Sequence, residues 1–152
     1  MAIKIPLFKA KSLGFERDMA TFSIKYGTLP TLFSTAIVDT GCPFVILSEN
    51  VLGKTRIPYM SFPSLERPVS LGPVSMELKN LGECDIFFKD ESGNTLEPPF
   101  KQTIYAGIPI LGRNQKLNFE LPSFIGKEFL DKHQLSIVKN RGGKSFICKI
   151  DI

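Results

Sequence analysis

The sequence has no tryptophan and one histidine, His133, so an imidazole-based catalytic scheme has a single candidate residue. Its three cysteines, Cys42, Cys84 and Cys148, are too far apart for a Cys-x-x-Cys pair. With one histidine beside them, this excludes a zinc site of Cys and His ligands, and no metal or other cofactor is expected. An odd number of thiols fits a reducing compartment better than a secreted disulfide framework. No apolar run approaches the ~18 residues of a membrane span. Residues 1–10 alternate Ile3, Ile5 and Leu7 with Lys4 and Lys9, which is strand patterning and not a signal peptide. The expectation is an intracellular, cytoplasmic protein without a membrane partner.

What is present is ordinary for a folded chain. A length of 152 residues suits one domain spanning 1–152, large enough to fold without a disulfide or metal staple. Hydrophobic residues at 43% and charged residues at 22% exclude global disorder. The net charge of +4 is densest at Lys139, Arg141, Lys144 and Lys149. Aromatic residues do not interleave with these cations in any RNA-binding signature. The patch reads as a solvated strand and turn, with no nucleic-acid partner.

Most segments read as short strands punctuated by Gly and Pro. Alternation from Ala20 to Tyr26 puts Phe22, Ile24 and Tyr26 on one face. Thr35–Val38 and Pro43–Leu47 are further strands. Ser48 can cap a short helix over Glu49–Leu52, ended by Gly53. Leu71–Leu78 and Cys84–Lys89 read as two strands joined by a hairpin at Asn80 and Gly82. Gln102–Ile110 is another strand, and Gly112–Glu120 has no clear pattern. The best helix is Gly126–Leu135, on which His133 is expected at the surface. Ser136–Val138, a turn at Asn140–Gly143 and Ser145–Ile152 complete a mostly β pattern. Cys84 and Cys148 lie in strands and are expected to be buried.

One segment carries chemistry. In Ala36-Ile37-Val38-Asp39-Thr40-Gly41 an apolar strand delivers a carboxylate to a tight turn. A carboxylate at the end of a rigid strand can be placed accurately. Gly41 leaves room for close backbone approach, and Thr40 offers a hydroxyl to brace the loop. Hydrolysis by this route needs two carboxylates, one to take a proton from water and one to give a proton to the substrate. Aspartic proteases are the standard example of two such groups sharing a proton. The chain has a single Asp-Thr-Gly, so a two-fold homodimer would supply the second.

The stretch from Ala36 to Leu47, AIVDTGCPFVIL, resembles the active-site loop of retropepsin-like aspartic proteases. Downstream, Phe124-Ile125-Gly126 followed by Lys127-Glu128-Phe129-Leu130 looks like the family's apolar element that threads the loop beside the catalytic Asp and opens a helix. Ile110-Leu111-Gly112-Arg113-Asn114 also fits that element. Phe124–Gly126 fits better, because an apolar helix face follows it and the remaining tail suits strand, turn and strand. The resemblance implies a closed or sandwich-like, mostly β acid-protease barrel with one short C-terminal helix, working as a homodimer.

It further implies that Asp39 is catalytic, with Thr40 and Gly41 in the active-site loop. Val69–Leu78 would be a flap over a protein or peptide substrate, with Leu71, Gly72 and Pro73 at its substrate-binding tip. The terminal strands, with Ile3, Ile5 and Leu7 against Phe146, Cys148 and Ile150, would interleave between two copies. Cys42 stands where the family usually has Ala or Ser, and the spacing from Gly41 to Gly126 is longer than in compact members. Two other readings stay open. One is a catalytically silent dimerisation or peptide-binding module on the same fold. The other is a nucleic-acid-binding β-barrel, motivated by the basic excess.

Overall fold

The computed structural model describes residues 3–12, 14–71, 74–110 and 122–149. Its strands are β1 (Ile3–Pro6), β2 (Phe8–Ser12), β3 (Phe15–Lys25), β4 (Leu32–Val38), β5 (Val45–Ser48), β6 (Val69–Leu71), β7 (Val74–Phe87), β8 (Phe100–Pro109), β9 (Ser123–Ile125), β10 (Ser136–Lys139) and β11 (Ser145–Lys149). Two short helices, α1 (Glu49–Leu52) and α2 (Lys127–Lys132), interrupt them, with a 3-10 turn at Tyr59–Ser61. Eight strands form one sheet in the order β2-β3-β4-β9-β5-β8-β7-β6, and an extra β3–β7 pairing joins its two sides. The smaller sheet runs β1-β11-β10. The fold is mostly β, as the alternation and turn chemistry predict.

The phenylalanines form the centre of the packing. Phe22 and Ile24 are buried from β3 as the period-two pattern requires. Phe88 is buried against Phe22, Phe100 and Phe129, with ring centroids 6.4, 5.8 and 5.8 Å away. Tyr26 is half-buried on the same face and donates its hydroxyl to the Leu81 carbonyl at 2.6 Å. A second cluster joins Met19, Ile37, Cys42, Ile46, Met76, Leu78, Tyr105 and Phe124 under the Asp39 loop.

Three expectations give way to the structure. Residues 74–87 make one long strand, not two strands and a hairpin. At Asn80 and Gly82 the ladder to β8 shifts register by one residue and then continues as a bulge. Gly82 sits at φ +85°, and its N–H donates to Asn80 Oδ1. This is turn chemistry used inside a strand.

Ser48 precedes α1, but its hydroxyl makes no capping bond, and Gly53 is right-handed. Instead the Ser48 N–H donates to Ser123 Oγ at 3.0 Å.

The terminal strands pair within one chain. Ile5 sits opposite Ile147, and Lys4 opposite Cys148. Ile5 is 1% exposed and Ile147 fully buried. Cys148 is half-buried and not fully buried as expected. Gly72, Pro73, Gly112 and Ile150 lie outside the described residues.

Candidate active site

β4 ends at Val38, and the chain then turns sharply. Asp39 donates its N–H to the Ile125 carbonyl at 3.0 Å, and its own carbonyl accepts from Cys42 N–H at 3.1 Å. Its carboxylate Oδ1 accepts from the Gly41 N–H at 2.8 Å. A Cβ on Gly41 would stand 3.1 Å from that oxygen and crowd it, so the glycine gives the carboxylate room over its own loop. Asp39 is half-buried, and Thr40 and Gly41 are exposed. Among the described residues the exposed Thr40 hydroxyl has no hydrogen-bond partner.

β9 fixes this loop from the other side. It runs parallel to β4, with Ile37 opposite Phe124 and Val38 opposite Ile125. It also pairs with β5 through Ile46 opposite Phe124. The segment thus lies between the two strands that flank the Asp39 loop. Gly126 then passes under the loop. A Cβ there would overlap the Cys42 carbonyl oxygen and lie 2.6 Å from that of Phe44. The next two N–H groups, of Lys127 and Glu128, donate to the carbonyls of Cys42 and Pro43 at 2.7 and 2.9 Å. The start of α2 is therefore hydrogen-bonded to the loop that carries Asp39. The two segments singled out in the sequence, Asp39–Gly41 and Phe124–Gly126, are together in space.

The β6–β7 hairpin stands near the same core cluster. It pairs Val69 with Met76, Ser70 with Ser75 and Leu71 with Val74. Met76 is buried in the cluster beneath the Asp39 loop. The base of the hairpin is thus tied to that loop through packing.

Cys42 is not placed to act as a nucleophile. It is fully buried, and its thiol donates to the Phe44 carbonyl at 3.4 Å. Burial pushes the thiol up to about 11, with the Asp39 charge adding to the rise. Cys84 is buried too, and burial with the charges of Asp85 and Glu83 pushes it up to about 12. Both stay protonated in the fold at neutral pH, and thiols react as thiolates. A thiol-labelling time course on the native protein at pH 8 is therefore expected to modify Cys148 first. Cys42 and Cys84 should follow only on unfolding. Equal rates at all three would contradict this burial.

His133 differs from its expected place. It is half-buried, its ring tilted against Phe129 at 4.8 Å and edge-on to Phe100 at 5.0 Å, with Nε2 3.3 Å from Gln102 Oε1. Gln102, only 1% exposed, also donates to Glu128 Oε1 at 3.3 Å. Sequence reasoning missed this bridge between β8 and α2, because a glutamine within a strand pattern carries no signal of its partner. Burial, then the nearby Lys132 charge, lowers the His133 pKa below its ordinary 6.5. The folded state thus disfavours the charged ring, and the stability this contributes is lost as pH falls through the folded pKa. Proton NMR of the one imidazole should give a midpoint below 6.5, and a midpoint above it would contradict the packing.

Among solved structures, the chain is similar to a retropepsin-like aspartic protease from Rickettsia conorii. The TM-score is 0.54 at 12% sequence identity, covering 97% of this chain and 90% of that one. No family model and no curated protein sequence matches the chain. At that identity the likeness shows the fold, which is mostly β and retropepsin-like. Among the described residues, no helix is long and apolar enough to cross a membrane.

Proposed function

We propose that the chain is the subunit of an aspartic endopeptidase whose active site is completed by a second copy. The observation that carries this reading is the position of Asp39. It is a half-exposed carboxylate at the buried end of β4, held by the Gly41 N–H in a loop that β9 and Gly126 lock from behind. Such a carboxylate is rigid and reachable, which positioning for proton transfer requires.

With a second Asp39 across a two-fold axis, one carboxylate takes a proton from the attacking water and the other protonates the leaving nitrogen. Water adds to the scissile carbonyl carbon, the C–N bond breaks, and an acid and an amine leave. The exposed Thr40 hydroxyls brace the two loops against each other. Gly41 leaves room for the substrate backbone. The β6–β7 hairpin, in which Leu71 pairs with Val74, closes over an extended peptide. Phe124, Ile125 and Gly126 keep the loop in place.

The test is cleavage of a diverse peptide pool between about pH 4 and pH 7, a window bracketing the ordinary carboxylate and imidazole ranges, read by mass spectrometry for wild type and Asp39→Asn. Cuts by wild type that vanish in the variant support the reading. A folded dimer that binds peptides and cuts none would replace it with the binding module.

A further inference from the structure

β3 buries Phe22 and Ile24 in the core, so Thr21 and Ser23 face the other side of the sheet. Residues directly opposite each other in a ladder share a face. Ser23 stands opposite Phe33 of β4 on one edge and opposite Phe87 of β7 on the other. Phe8 of β2 stands opposite Met19, the neighbour of Thr21 on that same face. Phenylalanines from three strands therefore surround two small hydroxyl residues. After Phe87 the chain turns Phe88 into the core and leaves Lys89 exposed. Continuing the β3–β7 register brings Lys89 beside Thr21.

These residues line a cleft of about 310 Å³, at the small end of the range for ligand pockets. Phe33 is 72% exposed and Phe8 43%. Among the described residues, neither Phe33 nor Phe87 stacks on another ring, the Thr21 and Ser23 hydroxyls have no hydrogen-bond partner, and Lys89 has no ion pair. Asp90 also borders the cleft, but its Oδ1 accepts from the N–H groups of Ser92 and Asn94 at 2.9 and 3.0 Å. Neighbouring strands lie about 4.8 Å apart, so Phe33 and Phe87 rise roughly 10 Å apart with only Ser23 between them. A planar ring in contact with a ring on each side needs about 7–8 Å between the two.

We infer that this cleft binds a small planar aromatic acid, with its ring between Phe33 and Phe87 and its carboxylate met by Lys89 and the Thr21 hydroxyl. The floor and the end of the cleft supply donors, and an ammonium accepts no hydrogen bond, so an anion is favoured over a cation. Aromatic walls favour a flat ring over a puckered one of similar size. The site is separate from the candidate active site. Phe33 lies near the start of β4 and Asp39 just past its end, roughly 20 Å along the strand.

The chain has no tryptophan, so indole emission from a mixture belongs to an added indole probe. Titration of indole-3-acetate should saturate with a Kd of about 1 mM or tighter. Tryptamine has the same ring and the opposite charge. Cyclohexylacetate, read as a competitor, has the same charge and a puckered ring. Both should bind about 10-fold or more weakly. Phe33→Ala removes a wall from the surface, and Ser23→Leu fills the gap between the walls. Each should weaken indole-3-acetate about 10-fold or more, with circular dichroism unchanged. Lys89→Gln should remove the preference for acid over amine, and Asp39→Asn should bind as wild type does. An absence of saturation, equal competition by cyclohexylacetate, or binding that survives both Phe33→Ala and Ser23→Leu overturns the inference. Binding lost in Asp39→Asn also overturns it, because the probe then sits at the candidate active site. So does a wild-type oligomer that Phe33→Ala dissociates in sedimentation while no probe binds, because a second copy then covers the cleft.

Discussion

Asp39→Asn is expected to abolish peptide cleavage, lowering kcat/KM by about 1000-fold or more, while the protein melts within a few degrees of wild type. The asymmetry follows from what the side chain does. In the fold its Oδ1 accepts one bond from Gly41 N–H, and an amide oxygen accepts that bond as well. The loop is otherwise held by backbone, through Asp39 N–H on Ile125 and Cys42 N–H on Asp39. Asn therefore keeps the geometry and loses the basic oxygen that would take a proton from water. In a two-copy site both acids go at once.

A mixed preparation sharpens the test. With random pairing of equal amounts of wild type and variant, about a quarter of the dimers carry two Asp39 residues. Activity falling to about a quarter means one site shared by two subunits, and about a half means independent sites. A pure variant that retained more than about a tenth of the wild-type rate would sink the carboxylate mechanism.

The candidate site was legible in the sequence because its parts are local. An apolar run ending in Asp-Thr-Gly reads as strand and turn without knowledge of neighbours. Phe124-Ile125-Gly126 reads as a short apolar strand with a glycine that has a steric reason. What the sequence concealed is non-local. Asn80 and Gly82 have the residue types of a hairpin turn, and the structure uses the same Asx bond and left-handed glycine to absorb one extra residue while β7 runs on. Only the continuing partner strand, β8, distinguishes the two outcomes.

The terminal strands show the same limit. Alternation at Ile3, Ile5 and Leu7 predicts a strand, yet nothing in it says whether the partner strand belongs to the same copy. The structure pairs Ile5 with Ile147 within one chain, a choice that rests on the partner strand and not on the alternation. His133 misled for a related reason. Its neighbours Asp131, Lys132 and Gln134 are polar, but the ring faces Phe100 on a distant strand.

The second large effect is expected at Gly126, and it is one of stability. Its backbone is extended, at φ −104° and ψ −171°, which any residue can adopt, so conformational freedom is not the issue. Space is. The Cβ of Gly126→Ala would overlap the Cys42 carbonyl oxygen and crowd that of Phe44, both backbone atoms. Those carbonyls cannot swing away cheaply, since that of Cys42 accepts from Lys127 N–H and the Pro43 carbonyl between them from Glu128 N–H. Relief requires β9 to separate from the loop, which would break the bonds joining α2 to the loop and disturb Asp39 N–H on Ile125.

The cost should reach about 3 kcal/mol or more, lowering the melting temperature by roughly 6–12 °C for a domain of this size. Gly107→Ala is the matched control. Its Cβ would meet Ile46 Cγ2 and Met76 Sδ at 2.7 and 2.9 Å, side-chain atoms of which the Met76 thioether can shift while the β-branched Ile46 gives less. Its loss should be smaller. Thermal melts of both variants decide the point. A Gly126→Ala protein as stable as wild type, or less affected than Gly107→Ala, would mean that β9 is not locked under the loop. The rigid placement of Asp39 would then need another source.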